Sequence, residues 1–96
     1  MTISLVITEV RTDITTPFFE MPAEWISYVQ RYNSIRKGSG GIAEYSEDLL
    51  TKTYREQYAS EYDRETFLND PIVKMGMDAK IAYNSANNIT RTVDIS

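Results

Sequence analysis

The chain has no cysteine and no histidine. Without cysteine, disulfides, thiolate catalysis, zinc–thiolate sites and thiolate-held iron–sulfur clusters are excluded. Without histidine, the commonest general base and the commonest transition-metal ligand are missing, which excludes Ser-His-Asp and Cys-His mechanisms. A metal site would need carboxylates and carbonyls, and no Asp-rich loop has calcium-ligand spacing, so neither a metal nor a cofactor is expected. No apolar run approaches the roughly 18 residues of a membrane span, and no basic segment leads into an apolar stretch and cleavage site. The expectation is therefore a soluble, cytoplasmic protein with no membrane partner. Basic residues are also scarce, 10 against 14 acidic ones for a formal charge of −4. They are interspersed with acids, so no stripe is available to neutralise phosphates and no nucleic-acid partner is expected.

What is present belongs to an ordinary globular chain. Ninety-six residues suffice for one core but not two, so residues 1–96 are read as a single domain. From Thr2 to Arg11 the sequence is rich in β-branched residues, with Ile3, Leu5 and Ile7 on one face and Ser4, Val6, Thr8 and Val10 on the other. Apolar side chains on both faces predict a central strand covered on both sides. Thr12 to Met21 reads as a loop with an apolar end. Pro22 suits the first position of a helix over 22–34, where Trp25, Val29 and Tyr32 recur at helical spacing. Gly38-Ser39-Gly40-Gly41 breaks that helix before a hairpin, with a strand over 42–45, a turn at Ser46-Glu47-Asp48 and a longer strand over 49–58. Neither face of that longer strand is strongly apolar, which predicts an edge or partly solvated position.

A second helical segment spans about Asp63 to Asn88, with Ser60 or Asp63 as a first cap and Asp70-Pro71 as a second. Leu68, Ile72, Met75, Ala79, Ala82 and Ala86 follow at steps of three and four, the spacing of one buried stripe. Asn87 or Asn88 is the expected left-handed stop, and 90–96 alternates as a last strand. Strand, helix, strand, strand, helix, strand matches the ferredoxin-like βαββαβ plan, an α+β fold with two helices on one face of a four-stranded antiparallel sheet. The face left bare would then pack against a second copy, giving a homodimer.

The chain resembles the dimeric α+β barrel group of ferredoxin-like proteins, which includes antibiotic-biosynthesis-monooxygenase-like domains. The residues that carry the resemblance are Gly40-Gly41-Ile42, the run Ser46-Glu47-Asp48-Leu49-Leu50-Thr51-Lys52-Thr53, and Tyr58-Ala59-Ser60-Glu61 ahead of Phe67-Leu68-Asn69-Asp70-Pro71. It covers roughly residues 40–95. The resemblance implies the fold and the pairing; the group holds metal-free enzymes acting on aromatic substrates, haem-degrading proteins and members without known activity. The absence of histidine makes the haem-handling members poor models, and no catalytic residue carries over by motif.

Seven tyrosines and one tryptophan would suit a cavity for a flat aromatic or apolar ligand, with Trp25, Tyr28, Tyr32, Tyr54 and Tyr83 as lining candidates. The same aromatics at helical spacing also serve as core filler. Phe18, Phe19 and Met21, large apolar side chains in a loop, must tuck under the domain, line a pocket entrance or meet another subunit. Arg31, Arg36 and Lys37 beside the glycines offer an anion cradle, although basic residues at a helix end followed by a linker explain the same letters. Glu44, Glu47 and Asp48 are carboxylates in a turn, a commonplace there. Three functions remain open: binding of an aromatic or apolar metabolite by a dimer, a cofactor-independent monooxygenase or isomerase, and an interaction module of a larger assembly.

Overall fold

The computed structural model describes residues 2–38 and 42–96. Its elements in chain order are β1 (Ile3–Val10), α1 (Ala23–Val29) running into a 3-10 turn (Gln30–Tyr32), β2 (Arg36–Lys37), β3 (Glu44–Tyr45), β4 (Thr51–Tyr58), α2 (Glu61–Asn69), α3 (Pro71–Ala86) and β5 (Thr90–Ile95). All strand pairs are antiparallel. β1 lies between β4 and β5, and the outer edge of β4 carries both β2, opposite Tyr58 and Gln57, and β3, opposite Thr53 and Lys52. This is an α+β fold with an antiparallel sheet and three helices, consistent with the ferredoxin-like plan.

The β-branched run makes β1 a strand, and its alternation sorts the side chains. Leu5, Ile7 and Glu9 are buried under the helices, and Val29, Tyr58, Phe67 and Val73 complete the core. Full burial of Ile7, Phe67 or Val73 stabilises by about 1.5–3 kcal/mol each. The sheet residues of this core all lie on one face. The opposite face carries Val6 and Val10 among Ser4, Thr8, Thr51, Thr53, Thr90 and Thr92, with Arg55 and Asp94 flanking Val6 and Gln57 beside Ser4, and Val10 stays 40% exposed. The second covering expected for β1 is thus not supplied by the chain's own described elements.

The two caps form. Ser60 Oγ accepts from the Asp63 amide, and Asp70 Oδ1 accepts from the amides of Ile72 and Val73 at 2.8 and 3.3 Å. Proline at the start of α3 cannot donate, so the break at Asp70 divides the second helical segment into two helices. Asn88 takes the left-handed conformation (φ 56°) that ends α3.

Several sequence expectations are corrected. The first helix is shorter than 22–34, and the strand expected over 42–45 pairs only at Glu44–Tyr45. β4 is an interior strand and not an edge, although it is partly solvated as expected, with Arg55 and Gln57 exposed and Tyr54, Glu56 and Tyr58 under the helices. The predicted stripe is also misplaced: Ile72 is 41% and Met75 65% exposed, and Ala79, Ala82 and Ala86 face outward. The buried line of α3 is Val73, Gly76, Lys80 and Asn84. Gly76 makes room for Trp25, and Lys80 and Asn84 meet Glu9 of β1. Among the described residues, no helix is long and apolar enough to cross a membrane.

Candidate functional site

Three segments converge where β1 ends. Arg11 follows the last residue of β1, and its guanidinium donates to the Leu49 carbonyl through Nε (3.0 Å) and Nη2 (2.8 Å) and to the Thr16 carbonyl through Nη1 (2.9 Å). One side chain therefore ties the 12–21 loop to the β3–β4 hairpin. The hairpin turn is built by Asp48, which accepts from the Ser46 hydroxyl and the Leu50 amide; these bonds hold its carboxyl below the usual range. On the far side, the Tyr83 hydroxyl of α3 donates to the Pro17 carbonyl at 2.5 Å.

The loop so pinned presents Phe18 and Phe19. Phe18 lies beneath the Arg11 guanidinium (4.4 Å to the ring centroid) and beside Tyr45 (6.3 Å), and Phe19 packs on Tyr83 at 5.4 Å. Together with Lys52 these residues line an open cleft of about 620 Å³, completed by Pro17 and Glu20. That volume is in the range of small-molecule sites, ~300–1,000 Å³. Lys52 Nζ is 5.7 Å from the Phe18 centroid and 5.5 Å from that of Tyr54.

A polar cluster lies beside this wall. Glu9, the β1 partner of Lys52, is 1% exposed. Its Oε2 is 3.7 Å from Lys80 Nζ and accepts from Asn84 Nδ2 at 3.4 Å, while Lys80 Nζ donates to the Tyr54 hydroxyl at 2.8 Å. Glu9 Oε1 and Asn84 Oδ1 have no partner. A buried carboxylate with a free oxygen is able to accept a further hydrogen bond. Among the described residues, no group of three acidic side chains converges as a metal site.

The residues singled out from sequence separate into two groups. Phe18, Phe19 and Tyr83 line the cleft, and Tyr54 stands next to it through Lys52. Trp25, Tyr28 and Tyr32 gather instead around Phe67 and Asp70 at the start of α3, and half-buried Met21 is not among the lining residues. Trp25 Nε1 donates to the Val73 carbonyl at 3.3 Å. Both tyrosine hydroxyls donate to Asp70 Oδ2, Tyr28 at 2.7 Å and Tyr32 at 2.5 Å. These bonds bring the Asp70 carboxyl down to about 2 and push the Tyr32 phenol up to about 12.

The anion cradle of Arg31, Arg36 and Lys37 does not form as a unit. Arg31 stacks on Tyr28 (3.6 Å), whereas half-buried Arg36 is bonded to Glu56 at 3.0 Å and to the Tyr58 hydroxyl at 3.3 Å. The glycine part of that cradle falls at 39–41, outside the described residues. Glu44 is spent on Arg55 at 3.0 Å. Sequence reasoning missed Arg11, Tyr45 and Lys52 in the cleft and Glu9 and Lys80 beside it. The alternation of Ile3, Leu5 and Ile7 carries on to Glu9, the one signal that a charge is turned inward.

No family model matches the chain, and no curated protein sequence does either. Its likeness is to solved structures. A candidate antibiotic biosynthesis monooxygenase from Deinococcus radiodurans superposes with a TM-score of 0.52 at 14% identity, over 100% of this chain and 90% of that one. A hydantoinase/carbamoylase family amidase from Burkholderia ambifaria gives 0.53 at 10% identity, over 99% of this chain but 27% of its own, so the chain spans about a quarter of that enzyme. At such identities the likeness is one of fold: this chain shares a small α+β, antiparallel-sheet fold with the Deinococcus radiodurans structure.

Proposed function

We propose that this protein binds a flat aromatic small molecule in the cleft between the 12–21 loop, the β3–β4 hairpin and α3. The observation that carries the reading is the pinned aromatic wall: Phe18, Phe19, Tyr45 and Tyr83 present ring surfaces to one open space, and Arg11 and Tyr83 fix the loop on both flanks. A planar ligand would gain from burying apolar area and from offset or edge contacts, the latter about 0.5–1.5 kcal/mol per ring pair. Isothermal titration with 2-naphthol, 2-naphthoate and 2-naphthamide tests it. Saturable binding that weakens at least tenfold in Phe19→Ala supports the reading; absence of binding by all three overturns it.

The protein acts as a homodimer in this reading, joined through the sheet face that the helices leave open. Val6 and Val10 with Thr8, Thr51, Thr53, Thr90 and Thr92 make much of that face β-branched, which suits sheet-on-sheet packing, and Arg55 and Asp94 beside Val6 offer opposite charges to a second copy. Sedimentation equilibrium tests the pairing: a dimer at micromolar concentration that Val6→Lys dissociates supports it, and a wild-type monomer rules it out. The enzymatic alternative has one observation in its favour, the free oxygen of buried Glu9 beside the Lys52 wall.

A further inference from the structure

The cleft is a locally positive place on a chain of net charge −4. Its lining holds two cations, Arg11 and Lys52, against one carboxylate, Glu20. Their donors are not equally committed. Nε, Nη1 and Nη2 of Arg11 are all bound to the Leu49 and Thr16 carbonyls, so Arg11 serves mainly as a tie between loop and hairpin. Lys52 differs. The ion pairs among the described residues are Arg36–Glu56, Arg55–Glu44, Arg64–Glu61 and Lys80–Glu9, and Lys52 belongs to none of them.

Glu9, the carboxylate across the strand from Lys52, turns its Oε2 to Lys80 and Asn84, and its Oε1 has no partner, Lys52 included. Half-buried Lys52 holds its ammonium between the Phe18 and Tyr54 rings, at distances where a ring face attracts a cation but leaves its three N–H groups able to donate. An ammonium beside an aromatic wall is the arrangement that recognises a ring bearing a carboxylate or phenolate: the ring meets Phe18, Phe19 and Tyr83 while the anion meets Nζ.

We infer that the cleft selects aromatic anions, aryl carboxylates above all, and that Lys52 is the residue that sets this selectivity. The inference rests on the proposal that the cleft takes an aromatic ligand, and the test separates the two. 2-Naphthoate and 2-naphthamide have nearly the same shape and differ in charge. Titration of the wild-type chain is expected to give about tenfold tighter binding of the acid, the size of one hydrogen bond to a charged group. Lys52→Met keeps the aliphatic stem and removes the charge, and it is expected to bind both compounds equally, at the wild-type affinity for the amide. Lys52→Gln supplies a second variant, with a thermal melt to show that each is folded. Equal binding of acid and amide by the wild type overturns the inference and leaves the aromatic reading standing. A preference for the acid that survives in both variants overturns the assignment to Lys52. Failure of the wild type to bind either compound overturns the inference, and failure to bind 2-naphthol as well overturns both readings.

Discussion

A methyl group placed on Gly76 would lie 2.2 Å from Nε1 and 2.4 Å from Cδ1 of Trp25. Helix α3 thus receives the indole of α1 where one of its residues has no side chain, and Trp25 turns its edge to Phe67 at 82°. In an isolated helix, alanine is better than glycine by about 1 kcal/mol. Here Gly76→Ala is expected to destabilise by about 1–3 kcal/mol, because neither the indole nor the helix backbone can give by more than an ångström without repacking the core. Urea unfolding measures it. In a Trp25→Leu background the same substitution should become neutral or stabilising; an equal loss in both backgrounds would deny the contact.

The buried Glu9–Lys80 pair predicts an asymmetry. Lys80→Met leaves a carboxylate at 1% exposure without its cation and is expected to cost about 3–5 kcal/mol. The double variant Glu9→Leu, Lys80→Met removes both charges and should be close to wild type or more stable. Chemical denaturation of the two single variants and the double variant closes the cycle. Additive losses would mean that the two charges do not interact in the folded chain.

Asp70 gives the acid limb of stability. Its carboxyl titrates at about 2 when folded, below its ordinary 3.8, because the Tyr32 and Tyr28 hydroxyls and two backbone amides donate to it. A depressed folded value means that its contribution is full above about 4 and is lost as the pH falls from 4 to 2. The Tyr32 phenol, raised from 10.0 to about 12 chiefly by the same carboxylate, behaves in the opposite sense: its contribution is full below 10 and is lost between 10 and 12. Thermal melts across pH 2–7 should show wild type and Asp70→Asn converging as the acid limb is crossed, with the variant less stable at neutral pH. Parallel curves would contradict this assignment. Absorbance at alkaline pH offers a second reading, since Tyr32 in Asp70→Asn should ionise nearer its ordinary value.

Much of this fold is legible in the sequence because its strongest signals are local. The β-branched run of β1, the Asp70-Pro71 break and the Asn88 stop each follow from the chemistry of a few adjacent residues. The buried face of α3 is not legible in that way. A period of hydrophobic residues selects Ile72, Met75 and the alanines, yet the face that turns inward is chosen by Trp25, which needs Gly76, and by Glu9, which needs Lys80 and Asn84. Those requirements arise 51 to 75 residues away along the chain. The cleft is similar: Phe18 and Phe19 stand out as apolar residues in a loop, but Arg11, Tyr45 and Lys52 reach them only through the pairing of β1 with β4 and β4 with β3. The aromatics noted from sequence divide because α3 is long. Tyr83 sits thirteen residues beyond Asp70, about 20 Å along the helix axis, so Tyr28 and Tyr32 belong to a structural cluster and not to the cleft.

That separation supplies the most direct measurement. Backbone amide resonances of the isotope-labelled chain, followed as 2-naphthoate is added, should move at Phe18, Phe19, Tyr45, Lys52 and Tyr83 and stay still at Tyr28, Tyr32 and Asp70. Saturating shifts confined to the first group are the predicted result. Shifts centred on Trp25, Tyr28 and Tyr32, or none at saturating ligand, would contradict the assignment of the cleft as the binding site.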